Sequence, residues 1–420
     1  MQINIVDCIM GAGKTCSAIN YINNLPDDVK IIYITPYKSE ADKIIKKCAS
    51  KKFEKPKKYT KYTPKMVHLK ELLNKGKNIA TTHALFHYFD DEVIDLCYSQ
   101  GYILFMDEVT DVVEHYTIDE KDMQILLNEF ALVDKKTGVL KWREDVDDYN
   151  GNFKEEKRLC EMGCLALYGD DMVIWMFPVK VFNAFRESYI LTYMFSAQMQ
   201  KYYYDFHNME YRYLYVDGDA VGNYHFVEDK RDYVSKYDYR KLITILDDPK
   251  LNQIGDQETA LSKSWYKRNK DNILLKKLKE NTYNFFNNRK IIYNPETGRL
   301  EKSKSSNNIW TTFKDYKKDL SGKGYIKGFL PSNMRATNEY KDRTAVAYLV
   351  NKYLNPCIKN FFVFNDVEVD EDGYALSEML QFLWRSGIRE GKQITVYIPS
   401  SRMRCLLKTW IAGQKYEDCE

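Results

Sequence analysis

The sequence offers no unbroken apolar stretch fit to cross a bilayer, because its most apolar region, residues 171–199, is interrupted by Pro178, Lys180 and Arg186. Charges at mid-membrane are expensive, so neither a span nor a membrane partner is expected. The opening residues MQINIVDC lack a basic start followed by a long apolar run, which excludes a signal peptide reading. The nine cysteines are an odd, scattered set. Their one close pair, Cys160 and Cys164, has no second pair or flanking histidines at zinc-ligand spacing, so reduced thiols in a cytoplasmic protein are expected. A charge field of one sign is missing too. Lys plus Arg total 63 against 60 Asp plus Glu, a net charge of +3, so any nucleic-acid track must be local. The longest basic cluster, residues 51–65, reads first as a solvated surface loop and only secondarily as part of such a track.

What is present is the balance of a globular protein, 44% apolar and 29% charged, on a chain of 420 residues that is long enough for two domains. The start reads as strand (INIVDC), glycine-rich turn and amphipathic helix stopping near Pro26, followed by the buried strand IIYITP and a helix whose N-cap is Ser39. A helix through VHLKELLNKG, then NIATTHALF and GYILFMDEVT, continue a strand–helix alternation that implies a mainly parallel, doubly wound sheet. Residues 135–170 are polar and acidic without a period and look like an insertion, and 188–197 reads as a further buried strand. We expect a first domain over 1–225, a linker over 226–259 and a second α/β domain over 260–420. In the latter, TAVAYLVNKYL is predicted helical and FFVFNDVEV is predicted extended. No short-period repeat is present.

Two elements carry chemistry. Met10-Gly11-Ala12-Gly13-Lys14-Thr15 has the GK[ST] ending of a phosphate-binding loop and stands between a strand and a helix. There Gly11, Ala12, Gly13, Lys14, Thr15 and Cys16 would present backbone N–H groups and the helix's positive end to ATP, Lys14 would reach the β/γ-phosphates, and Thr15 would ligate Mg²⁺. Cys8 replaces the first glycine of the full pattern. Downstream, Ile103-Leu104-Phe105-Met106 is an apolar strand ending in Asp107-Glu108. Asp107 would hold Mg²⁺ and Glu108 would position the attacking water. An acidic pair after an apolar strand is usually a solvated loop, but paired with a phosphate loop it points to triphosphate hydrolysis.

Asp107-Glu108-Val109-Thr110 also resembles the DExx box of superfamily 2 helicases, and the resemblance extends over nearly the whole chain. Thr35-Pro36-Tyr37-Lys38 looks like motif Ia and Thr81-Thr82-His83 like the next motif of the first domain. Leu191 to Ala197 stands at motif III, with Thr192 as the coupling residue. Trp310 to Lys314, including Thr312, occupies the place of motif IV, and Asn333 to Tyr340, including Arg335, Thr337 and Asn338, that of motif V. Ser377 to Arg389 resembles motif VI, with Trp384 in place of a glycine and the second arginine one residue late. The combination most resembles the compact DEAD/DEAH-like helicases encoded by bacteriophages.

The resemblance implies two tandem RecA-like, doubly wound parallel-sheet domains with an ATP-binding cleft between them. It implies nucleic-acid contacts at Thr35, Pro36, Lys38, Thr82, His83, Thr312, Lys314, Arg335, Thr337 and Asn338. It also implies catalytic roles for Lys14, Asp107, Glu108, Gln381, Arg385 and Arg389, with ATP as substrate and Mg²⁺ as cofactor. Spaced four apart, Gln381, Arg385 and Arg389 would form one stripe on a helix, with Gly387 as a point where that helix could end. The implied partners are single-stranded or forked DNA, with RNA left open, and replication proteins, in the host cytoplasm if the chain is phage-encoded. Only Gln2 is available upstream for a glutamine motif that reads adenine, so weak base discrimination is expected. A terminase-like packaging ATPase, a nucleotide-switched nucleic-acid loader and a kinase are the competing readings, the last of which leaves the second half of the chain unused.

Overall fold

A computed structural model describes residues 2–60, 63–170, 172–218, 222–229, 234–235, 237–332 and 339–416. The chain forms two compact units, Met1–Lys230 with Leu354–Asp370, and Arg231–Tyr353 with Glu371–Glu420.

The first unit opens with β1 (Gln2–Asp7), α1 (Lys14–Asn24), β2 (Ile31–Thr35), α2 (Lys38–Lys47), α3 (Lys65–Asn74), β3 (Ile79–Thr82), α4 (His83–Phe86), α5 (Asp91–Ser99) and β4 (Ile103–Asp107). Ser39 lies inside α2 and does not cap it; the N-cap position is Tyr37, which contributes no side-chain hydrogen bond. A small module follows: β5 (Val113–His115), β6 (Ala131–Val133), β7 (Leu140–Trp142), β8 (Leu165–Tyr168) and β9 (Met172–Met176). It has its own core of Met123, Leu126, Leu140, Trp142, Leu159, Cys160 and Val173, so the insertion is longer than the polar stretch 135–170. Its apolar residues are too far apart in sequence to announce a core. The chain then returns to the main sheet with β10 (Glu187–Thr192), β11 (Tyr211–Gly218) and β12 (Tyr224–Val227).

The seven-stranded sheet has the order β12-β11-β1-β10-β4-β2-β3, and every pairing is parallel except that of β11 with β12. One face is tied together by rings: Tyr33 on Phe105 at 5.9 Å, Phe105 on Tyr189 at 4.7 Å and Tyr189 on Phe226 at 5.7 Å, all stacked. Such cross-strand aromatic pairs add roughly 0.2–1 kcal/mol each and resist slippage of register. Level register matters here because every candidate residue of this unit lies at the carboxyl ends of these strands.

In the second unit, β13 (Val234–Ser235), β14 (Ile243–Ile245), β15 (Lys290–Asn294), β16 (Arg299–Lys302), β17 (Asn308–Thr311), β18 (Ala345–Tyr348), β19 (Ile394–Tyr397) and β20 (Lys415–Tyr416) build a four-stranded, all-parallel sheet of order β14-β19-β18-β17 and two two-stranded pairs. Since β14 belongs to this sheet, the expected linker 226–259 is largely part of the unit itself. Two expectations are exchanged. Ala345–Tyr348, predicted helical, is a central strand with all four residues buried. Phe361–Phe364, the start of the stretch predicted extended, instead close the helix Pro356–Phe364, which has Pro356 in its first turn and Asn355 accepting from the Cys357 N–H. Ala345–Tyr348 is buried on both faces and Phe361–Phe364 is a run of only four apolar residues, so neither carries a period that separates helix from strand, and here the cap and the sheet position decided.

Candidate functional site

Between β1 and α1 the chain makes the tight turn that the glycines predict, with φ of 88° at Gly11 and 90° at Gly13, values that disfavour any side chain. Lys14 sits in the first turn of α1 and folds back so that its ammonium donates to the carbonyl oxygens of Cys8 and, at 3.1 Å, Ile9. Cys8 is buried and its thiol is pushed up in pKa by that burial, while its N–H donates to the Thr192 carbonyl at 3.1 Å. It therefore closes the turn onto β10, a task that needs no glycine. Thr15 and Cys16 follow, half-buried, in the same helical turn.

Asp107 ends β4, and one strand, β10, separates β4 from β1. Leu191 pairs with Asp107 and Val6 with Leu191, so by strand alternation Asp107 points to the face that α1 covers. At about 4.8 Å per strand, the ends of β1 and β4 are roughly 10 Å apart. Glu108 has φ 65°, a left-handed conformation, and its N–H donates to Leu191 O at 2.9 Å. A non-glycine residue held there costs of order 1–3 kcal/mol, and such strain gathers where a side chain must be aimed.

The surroundings of the acidic pair are wired. His83 Nε2 lies 2.9 Å from Asp107 O, and His87 Nε2 lies 2.8 Å from Thr110 Oγ1. Burial pushes the His87 pKa down, so the ring is neutral near pH 7. The Thr110 N–H donates to Gln200 Oε1 at 2.9 Å, and Gln200 donates to the Tyr204 hydroxyl at 2.7 Å. On the other side of the turn, the Asp7 carboxylate accepts from the Met194 N–H at 2.8 Å and the Phe195 N–H at 2.9 Å, which fixes the loop after β10. Sequence reasoning overlooked Asp7 and Gln200. The only signal was a carboxylate directly before the turn.

Several expected residues stand differently. Thr35 is buried, with its hydroxyl 2.9 Å from Tyr37 O and 3.3 Å from Thr81 O, and the half-buried His83 has Nε2 turned to the β4 backbone. Thr192 pairs with Asp7, which sets it on the face opposite Asp107, fully buried. Pro36 is half-buried and Lys38 exposed. Beside them a cavity of about 420 Å³ is lined by Lys38, Lys55, Lys57, Lys58, Lys65 and Thr82, among others. The Lys65 pKa is lowered first by burial and then by Lys38, Lys55 and Lys58, and Lys55 alone of the five has an ion pair described, to Asp42 at 2.5 Å. The described part of the basic cluster is thus an exposed loop, as expected, and several of its lysines also line this cavity.

In the second unit Thr312 is buried at the end of β17 and Lys314 is exposed. Gln381, Arg385 and Arg389 do not form one stripe. The helix Glu371–Leu383 ends before Arg385, where the Ser386 N–H and hydroxyl both return to Leu383 O at 2.9 and 2.6 Å. Gly387 then donates to Arg343 O, leaving Arg385 buried and Arg389 exposed on a separate turn, Gly387–Glu390. Arg335, Thr337 and Asn338 lie outside the described residues.

Thr15 and Asp107 together offer a hydroxyl and a carboxylate on the α1 face, hard oxygen donors of the kind Mg²⁺ takes when phosphates complete its shell. Among the described residues no group of three or more His, Cys, Asp or Glu could hold a metal, and no helix is long and apolar enough to cross a membrane.

The arrangement can be set beside known proteins. The YonV middle domain matches residues 113–175 and the YonV C-terminal Rossmann-like domain residues 237–411, limits that follow the inserted module and the second unit. The SPbeta prophage-derived uncharacterized protein YonV of Bacillus subtilis (strain 168) is 38% identical over 425 residues, covering 99% of this chain and 100% of that protein. The chain belongs to the YonV family. Among solved structures it is similar to Xpd4 of S. tokodaii, at 13% identity and TM-score 0.46 over 97% of this chain and 94% of that one. It is also similar to the DUF1998 helicase MrfA bound to DNA and AMPPNP, at 11% identity and TM-score 0.36 over 99% and 49%. At TM-scores below 0.5 these likenesses carry no functional argument.

Proposed function

We propose that the chain is an ATP-dependent nucleic-acid motor of the superfamily 2 helicase kind, built on two RecA-like units. The observation that carries this reading is the register of one sheet edge, which puts the Gly11–Lys14 turn and the Asp107-Glu108 pair on either side of β10 and Asp107 on the α1 face. In this reading an entering triphosphate takes the Lys14 ammonium from the carbonyls of Cys8 and Ile9, exchanging two neutral acceptors for anionic oxygens. The N–H groups at the start of α1 and its positive end hold the phosphates. Glu108, aimed by its left-handed backbone, orients the attacking water and takes its proton. Mg²⁺ held by Thr15 and Asp107 would neutralise charge on the β- and γ-phosphates. Arg385, whose planar fork suits phosphate oxygens, would supply positive charge during hydrolysis.

The five-lysine pocket supports nucleic acid as the polymer bound. Burial first, and then the neighbouring ammonium groups, lower the Lys65 pKa, so an anion in this pocket is favoured, and backbone phosphates recur along a strand without regard to sequence. The prophage origin of the relative supports a role in phage DNA metabolism, with replication proteins as partners. The test is ATP hydrolysis with and without single-stranded DNA, single-stranded RNA and duplex, followed by displacement from substrates with 3′ or 5′ tails. Hydrolysis stimulated by single strands supports the reading, and no hydrolysis under any of these conditions refutes it.

A further inference from the structure

The hairpin of β11 and β12 does something that neither the phosphate loop nor the acidic pair requires. It lays the Tyr224 ring against the loop so closely that a Cβ on either Gly13 or Gly218 would collide with one ring edge, while a Cβ on Gly222 would lie 4.0 Å from the other. The strand is held there by Asn20, whose amide donates to Tyr224 O at 3.0 Å. Beside the ring opens a cavity of about 530 Å³, lined by Ser17, Asn20, Tyr21, Asn24, Tyr224 and His225, among others, that follows α1 away from the loop. With a rise of 1.5 Å per residue, Asn20 lies about 9 Å along the helix from Lys14, on the scale of the reach from a nucleotide's phosphates to its base.

We infer that Tyr224 is the platform on which the base of a bound nucleoside triphosphate stacks, and that the base is held by its face and not read at its edge. This rests on the proposed reading of the Gly11–Lys14 turn as a phosphate site. Wedged between two glycines, the ring is fixed in advance, so stacking on it loses little side-chain entropy. The amide nitrogens nearest the ring are turned to backbone, Asn20 donating to Tyr224 O and Asn24 donating to Asn20 O at 2.9 Å, so the ring face is the contact that this geometry presents to a base. Every base has a π-face, so ATP and GTP bind alike.

The experiment measures binding of Mg·ATP, Mg·GTP and inorganic tripolyphosphate to the full chain and to its Tyr224→Phe, Tyr224→Leu and Tyr224→Ala variants by calorimetry, with Lys14→Ala as control. Tyr224→Leu and Tyr224→Ala are expected to weaken ATP and GTP equally, by roughly 5- to 150-fold, the span of base–aromatic stacking. Tripolyphosphate should bind all of these Tyr224 variants as it binds the parent, and Tyr224→Phe should bind ATP normally. Unchanged ATP affinity in Tyr224→Ala overturns the inference, as does an equal loss for tripolyphosphate, which would make the ring a mere support of the loop. A parent chain that binds tripolyphosphate and ATP equally well overturns the base platform while leaving the phosphate site standing. A parent chain that binds neither overturns both.

Discussion

Asp7→Asn isolates a contact that joins two loops of the proposed site. The carboxylate accepts from the N–H groups of both Met194 and Phe195, at 2.8 and 2.9 Å, and so holds the loop after β10 against the end of β1. Asparagine keeps one oxygen and turns an amide donor toward the second N–H, which loses one charge-assisted hydrogen bond and leaves a donor facing a donor. Hydrogen bonds to charged groups contribute about 1.5–3 kcal/mol, so local opening of this loop should become easier by about 2–3 kcal/mol. With RT near 0.59 kcal/mol, that is a rise of about 30- to 160-fold in the exchange of the Met194 and Phe195 amides, provided they exchange by local opening. Hydrogen exchange read by mass spectrometry on a peptide covering 193–197 measures it, and a peptide from β2 serves as the internal reference. The β2 peptide should not change. Nucleotide affinity should stay near that of the parent while turnover falls, because Asp7 supports the loop beside the reacting groups and does not touch the phosphates in the proposed reading. Exchange at 193–197 equal to the parent's would refute the reasoning.

Other expectations follow from the same geometry. Lys14→Ala and Glu108→Gln should both abolish turnover, but only Lys14→Ala should lose nucleotide binding; near-normal hydrolysis by Glu108→Gln means the acidic pair has been misread. Arg385→Ala should bind nucleotide nearly as the parent does and lose about 10³-fold in turnover, with no rescue by lysine, whereas the exposed Arg389→Ala should stay within about tenfold of normal; steady-state ATPase assays decide between them. His207, packed on Tyr203 at 4.5 Å and Phe206 at 4.8 Å, has its pKa lowered to about 4 by burial. Its folded pKa is below the unfolded value, so stability is full above about pH 6.5 and is lost as pH falls toward 4. Discounted for partial exposure, the loss is about 1–2 kcal/mol at pH 5, and His207→Phe should flatten that part of a denaturation-against-pH curve. An unchanged slope would mean that the ring is already open to water.

The sequence by itself determined the local elements of the candidate site. Glycines at 11 and 13 allow the left-handed turn that other residues disfavour, Lys14 follows at the helix start, and the apolar run into Asp107-Glu108 reads as a strand that ends in carboxylates. The strand–helix alternation likewise declared a parallel sheet in each half. Everything that depended on which distant segments meet was decided by the tertiary structure. Helix and strand at 345–364 were exchanged because an apolar stretch of four to nine residues fits either, and only its place between β17 and β19, or its cap at Asn355, distinguishes them. The arginine stripe failed because its helix ends at Leu383, through Ser386 and a bond from Gly387 to Arg343, a residue far earlier in the chain. Lysines of the basic loop line a cavity because residues of α2 and β3 supply its other walls. Asp7, Gln200 and Tyr224 gained their places through partners 187, 90 and about 200 residues away. Side-chain period reports only which face of an element is buried; sheet order and register set what that face meets, and both are properties of the packed chain.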